Sequence, residues 1–211
     1  MLFRSLKLQV TTNTDFAQTE VDDRQVNLTR FALFFPEKRD FFLEGSGNFD
    51  FARERFNILT PFFSRRIGLT DSGQPQKIDY GVKMTGQAAG LDIGFLQVRT
   101  ALGKGAPGED FTVLRPKKSF LQQSYVGMYY TRRSTRNSTI PDRSSVGADF
   151  QLATTHFHGR QNLQFGAFWM KTPNKAKPGD DTAWTVRLDY PNDLWVLQFN
   201  YKEFQIGRAH V

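Results

Sequence analysis

In the second half of the chain apolar residues occupy every second position. Val146, Ala148, Phe150 and Leu152 do so, then Leu163, Phe165, Ala167 and Trp169. Trp184, Val186, Leu188 and Tyr190 follow, and finally Trp195, Leu197, Phe199 and Tyr201. A period of two belongs to a strand, whose successive side chains point to opposite faces. This alternation, with turn-forming clusters between the runs, predicts nine strands: Ser5–Asn13, Ile78–Gly86, Leu91–Thr100, Asp110–Arg115, Ser124–Arg132, Ser145–Thr154, Gln161–Thr172, Ala183–Tyr190 and Leu194–Phe204.

Residues 14–76 interrupt the series. Phe31–Phe51 reads FALFFPEKRDFFLEGSGNFDF, which follows neither the strand nor the helix period. Pro36 as a first helical residue, Glu37 in the first turn and Gly45 as a stop predict one or two helical turns over Pro36–Glu44.

The predicted connections alternate between short and long, as in outer-membrane barrels, where short turns face the periplasm and longer loops face outward. One phase of the strands is uncharged. The other carries Asp149, Gln151, Gln164, Gly166, Thr185, Arg187, Asp189, Gln198, Asn200 and Lys202. Phe168, Met170 and Val196 break this polar phase and are expected to pack against the insertion. Tyr190 and Trp195 flank a short turn while Trp184 and Tyr201 lie at the far ends of the same hairpin, the places of interfacial girdles. The expected fold is all-β: an incomplete antiparallel transmembrane β-barrel of about nine strands in the bacterial outer membrane, in contact with its lipid. Residues 14–76 form an irregular luminal or extracellular insertion with a short helical turn, entering on the long-loop side. A soluble β-sandwich with one buried face is the alternative.

Composition sharpens this picture. Hydrophobic residues make up 39% of the 211 residues, yet Phe alone contributes 21, which suits a narrow apolar band better than a thick aliphatic core. The net charge of +7 is spread along the chain without a basic tract, so no nucleic-acid partner is expected. The absence of cysteine excludes disulfides and thiolate zinc sites. No apolar run approaches the ~20 residues of a membrane helix. Met1 leads straight into a strand pattern, so an export signal is expected upstream of this sequence. Ile206–Val211 breaks the strand pattern and reads as the translation of a sequencing-library adapter. The chain is therefore expected to be a fragment, with residues 1–205 as part of one barrel domain.

The strings TNTDFAQTEVDDRQVNLTRF (12–31), LFFPEKRDFFLEGSGNFDF (33–51), FFSRRIGL (62–69) and IDYGVKMTGQAAGLDIGFLQVRT (78–100) resemble a bacterial family of uncharacterised proteins. Its members carry an N-terminal family-nine-type carbohydrate-binding domain followed by a large outer-membrane β-barrel domain of unknown function. The resemblance spans nearly all of residues 5–205. It implies a sugar-binding-like domain upstream and further strands downstream, and it brings no catalytic residues.

The insertion is also the chemically richest stretch. Its carboxylates Asp15, Glu20, Asp22, Asp23, Glu37, Asp40, Glu44 and Asp50 are interleaved with arginines and lysines, which points to ion pairing. A glycosidase needs two facing carboxyls, one with a raised pKa. Asp15, Glu20, Asp22 and Asp23 match no calcium-loop spacing. His156 and His158 are predicted to share a strand face without a third metal ligand. No cofactor and no metal are expected. The binding candidates are Phe35, Glu37, Lys38, Arg39, Phe42, Glu44, Arg65 and Arg66, lining the lumen. The expected function is a non-enzymatic outer-membrane barrel, a channel or uptake component linked to carbohydrate-derived solutes. The alternative is an envelope glycoside hydrolase or carbohydrate-binding protein using the insertion's carboxylates.

Overall fold

The computed structural model describes residues 5–14, 36–52, 59–70, 75–103, 107–137, 139–173 and 181–205. Nine strands form one antiparallel sheet in sequence order: β1 (Leu6–Thr14), β2 (Ile78–Ala88), β3 (Leu91–Thr100), β4 (Glu109–Phe120), β5 (Ser124–Thr135), β6 (Arg143–Phe157), β7 (Gln161–Lys171), β8 (Thr182–Pro191) and β9 (Val196–Phe204). Each strand predicted from the alternation is present. They do not close on themselves: among the described residues β1 pairs only with β2 and β9 only with β8. Both edges keep an unpaired ladder, so the sheet is open and is not a barrel.

The connections alternate as predicted. Residues 89–90, 121–123, 158–160 and 192–195 are short links at one end of the sheet, while 15–77, 101–108, 136–142 and 172–181 lie at the other. The insertion therefore enters on the long-connection side. β4 outruns the predicted Asp110–Arg115 and runs through Pro116, although a proline removes a ladder donor. The ladder between β4 and β5 skips Arg115 and Pro116 opposite Met128 and Tyr129. The Met128 carbonyl left without a backbone donor accepts a hydrogen bond from Arg115 Nη1 at 3.2 Å, and the strand continues to Phe120.

The two faces of the sheet show inverted burial. On one face, register partners build continuous apolar rows: Leu8, Met84, Phe95, Leu114, Tyr130 and Val146 in one, Val126, Phe150, Ala167, Val186 and Tyr201 in another. This face is open to solvent, with Leu8 64% and Met128 61% exposed. The opposite face carries Lys83, Arg115, Asp149, Thr185 and Asp189, all at most 3% exposed.

The insertion covers that polar face. Its Phe42, Phe49, Phe51 and Ile67 join Leu96, Val98, Phe111, Val113, Tyr129, Phe168 and Met170 in the one core cluster of the described residues. Burying each such side chain contributes about 1.5–3 kcal/mol. The Phe51 ring lies 5.3 Å from that of Tyr129 and 5.7 Å from that of Phe168. Phe168 and Met170 thus meet the insertion as their phase predicted. Val196 does not: on edge strand β9 it is exposed, beyond the reach of the described insertion residues. Gly94 on β3 marks a close approach, since a Cβ there would meet the Asn48 carbonyl oxygen at 2.8 Å and the Phe49 ring at 3.1 Å.

A buried ion pair fixes the insertion in register. Arg115 on β4 binds Asp149 on β6 through two hydrogen bonds of 2.6 and 2.8 Å, with side-chain exposures of 2% and 1%. Arg115 Nε also donates to the Asp50 carbonyl at 3.0 Å, and the Ala52 N–H donates to Asp149 Oδ2 at 3.1 Å. The pair reaches across β5 because Gly127 lies between, where a Cβ would sit 2.2 Å from Arg115 Nη1 and 2.8 Å from Asp149 Oδ1.

Gly127→Val should separate the pair and cost about 3–5 kcal/mol, the loss typical of a buried charge left without its partner. Arg115→Met alone should cost a similar amount, because it strands Asp149. The double variant Arg115→Met/Asp149→Leu should cost clearly less than the two single changes added together. Denaturant midpoints of the wild type, Arg115→Met, Asp149→Leu and the double variant test the coupling, with Gly127→Val measured beside them, and additive losses would contradict it.

Candidate functional site

The helical segment is shorter than its sequence signals suggest. Helix α1 (Asp40–Leu43) makes one turn and begins at Asp40, not at Pro36. Gly45, at φ +67°, ends it in the left-handed conformation that glycine adopts without strain, and a 3-10 turn, Ser46–Phe49, follows. A helix of four residues has no independent stability, since nucleation outweighs its few hydrogen bonds. Lys83 of β2 holds it in place: Nζ donates to the Phe41 carbonyl and, at 2.6 Å, to the Glu44 carbonyl. The same ammonium lies 5.1 Å from the centre of the Phe41 ring.

Glu37 and Arg39 form a clasp. Arg39 Nε and Nη2 donate to the two Glu37 oxygens at 2.7 and 2.8 Å, and the backbone N–H groups of Lys38 and Arg39 donate to Oε1 at 3.1 Å. Ser64 Oγ adds a bond to Oε2 at 2.7 Å. Arg39 also donates to the Ile67 and Ser64 carbonyls at 2.6 and 2.7 Å, while its guanidinium stacks 4.2 Å from the Phe42 ring centre. The clasp thus ties the PEKR string to the SRRIGL string, 25 to 28 residues away. Burial pushes the Glu37 carboxyl up, but its hydrogen bonds to Arg39 and Ser64, the Arg39 charge and the Arg39 N–H outweigh this and hold it below its ordinary 4.5.

Glu44 lies apart from the clasp and meets β1, accepting hydrogen bonds from Lys7 Nζ and, at 2.5 Å, from Gln9 Nε2. The Lys7 bond lowers its pKa despite some desolvation. Lys38 is exposed, and Arg65 and Arg66 are half-buried in the 3-10 turn Ser64–Arg66. Phe35 lies outside the described residues, as do Asp15, Glu20, Asp22, Asp23 and Ile206–Val211. Among the predicted site residues, then, the fold joins Glu37, Arg39 and Phe42. Sequence reading missed Lys83, Ser64, Arg115 and Asp149 as partners of the insertion; a lysine and an arginine on the polar phase of mid-sheet strands were the available signal.

Between the helical turn and residues 59–64 lies a cleft of about 510 Å³. Phe42, Phe49, Phe51, Phe62 and Phe63 are among its apolar lining, with Lys83, Ser46 and Thr60 among the polar groups. The volume is that of a small-molecule pocket. Among the described residues no group of three or more His, Asp or Glu side chains is arranged to hold a metal. His156 lies on β6 and His158 in the following turn with φ +45°, so the strand face predicted for both is not shared.

The depressed Glu37 pKa sets a pH dependence for the clasp. A carboxyl whose folded pKa lies below its unfolded value stabilises the fold fully above 4.5, and that contribution disappears as pH falls through the lower folded value. The protection factors of the Ser64–Leu69 amides, exchange rates corrected for the intrinsic pH dependence, should therefore hold down to pH 4.5 and fall below it. Glu37→Gln should remove this acid transition and weaken docking by about 1–3 kcal/mol, because Arg39 stays buried without its counter-charge. An unchanged acid transition in Glu37→Gln would rule the clasp out as its source.

No curated protein and no solved structure matches the chain. Residues 3–97, which hold β1, the insertion, β2 and most of β3, match the family model of a domain of unknown function (DUF5916).

Proposed function

We propose that this chain is part of the wall of a bacterial outer-membrane β-barrel, with the insertion as a plug on its luminal side. On this reading the protein is a non-enzymatic envelope component for passage or uptake of small solutes, and the resemblance in sequence suggests carbohydrate-derived ones. The observation that carries the reading is the inverted burial. Water favours apolar side chains inside and charges outside, whereas Leu8, Met128, Trp169 and Phe199 lie exposed and Lys83, Arg115 and Asp149 lie buried. A hydrocarbon surround makes that arrangement favourable, because a barrel faces lipid with apolar residues and keeps polar ones within. A soluble sandwich would cover the apolar rows with a second layer, and no described residue does so. The charged pairs Arg99–Asp110 and Arg132–Asp142 sit beyond the rows, toward the long connections.

A further feature agrees: short and long connections alternate, as in barrels with periplasmic turns and outer loops. The open edges of β1 and β9 would be joined by further strands. The hydrolase alternative finds less support: Glu37 and Glu44 both have lowered pKa values, opposite to a general acid.

The three tryptophans are natural reporters, since Trp169 and Trp184 lie on the apolar face and Trp195 in the short connection before β9. In vesicles of bromine-labelled lipid the full-length protein should show strong tryptophan quenching, together with heat-modifiable gel migration. Stable, monomeric behaviour in buffer without detergent would overturn the reading. Met128→Arg supplies a second test. It should cost about 2–4 kcal/mol in a bilayer, whereas an exposed position in water would tolerate it within about 0.5 kcal/mol.

A further inference from the structure

Lys83 does more than anchor a helix. Its side chain is 1% exposed and lines the cleft, and its ammonium has three N–H donors. Two are taken by the Phe41 and Glu44 carbonyls. No carboxylate pairs with it among the described residues. The Glu44 carboxylate, its nearest counter-charge, is held by Lys7 and Gln9. Of the other acids in the cleft wall, Glu37 is saturated by the clasp and Asp50 is exposed and otherwise engaged. A buried cation with a spare donor is unfavourable without an anion, and the best place for that anion is the adjoining cleft.

The rest of the wall defines the body of such a ligand. Phe49 and Phe62, with ring centres 6.1 Å apart, line the cleft together with Phe42. Rings in this arrangement favour a flat apolar or aromatic guest. We propose that the cleft binds a small monoanion with a flat apolar body, an aromatic carboxylate in chemical class. Its carboxylate takes the third N–H of Lys83 and its ring packs among the phenylalanines. The inference concerns a ligand site on the insertion and is independent of whether the apolar face meets lipid.

trans-Cinnamate and its neutral amide, cinnamamide, are suitable probes, titrated by calorimetry into the folded chain in non-ionic detergent. The acid should bind about tenfold more tightly than the amide, or better, through one charge-assisted hydrogen bond. Ser46→Trp fills the cleft from a residue that holds neither Lys83 nor Glu37, so it should abolish saturable binding while the insertion stays docked by hydrogen exchange. It also corrects for partition into the micelle. Lys83→Met should remove the preference for the acid; if that variant releases the insertion, the acid–amide comparison in the wild type and Ser46→Trp decides. Equal affinity for acid and amide, no saturable binding of cinnamate up to about 10 mM (a free energy of roughly 3 kcal/mol), or undiminished binding in Ser46→Trp would overturn the proposal.

Discussion

Arg115 and Asp149 lie two strands apart on the buried face of the sheet, and the position of the insertion follows from their pairing. Two charges withdrawn from water are tolerable only when their geometry is good and their remaining hydrogen-bonding capacity is used. Here the capacity is used by the insertion itself, through the Asp50 carbonyl and the Ala52 N–H. The pair therefore needs the insertion as much as the insertion needs the pair. Gly127 lets the side chains meet across β5, and the Met128 carbonyl orphaned by Pro116 finds its donor in the same guanidinium. A proline, a glycine and an ion pair on three neighbouring strands thus act as one device.

The insertion owes its shape to the sheet rather than to its own propensities. A one-turn helix and two 3-10 turns carry too few internal hydrogen bonds to persist alone. They are held at three places: by Lys83 under the helical turn, by the Arg115–Asp149 pair at residues 50–52, and by Glu44 against β1. The clasp of Glu37 and Arg39 joins the two arms of the insertion to each other. Its phenylalanines then fill the space above Leu96, Val98, Phe111 and Val113. Backbone carbonyls and N–H groups of residues 41, 44, 50 and 52 are the hydrogen-bonding contacts at Lys83, Arg115 and Asp149.

Much of the fold was legible in the chain, because a half-buried strand writes its two faces into alternate positions. Phe168 and Met170, apolar in a polar phase, correctly signalled a covering segment. Val196 gave the same signal without the same outcome, because an edge strand lies at the margin of what the insertion covers. β4 runs beyond its predicted end at Arg115; proline's cost in a ladder is visible in sequence while its relief by the preceding arginine is not. The candidate site was only half legible. Glu37, Arg39 and Phe42 stood out as an unusual string, but their partners, Ser64 and the Ile67 carbonyl, lie more than 20 residues away with no periodicity to link them.

The sequence by itself determined the strands, their faces, the alternation of short and long connections and the end of the sheet at which the insertion enters. These follow from local rules: a period of two, turn chemistry and connection length. Tertiary structure alone decided which charges pair, where the short helix starts, and that these nine strands remain an open sheet. Lys83, Arg115 and Asp149 look in sequence like ordinary polar positions on a wet face. They become the anchors of the insertion only because folding brings backbone groups of residues 41–52 within hydrogen-bonding distance, and that distance is a property of packing with no local trace.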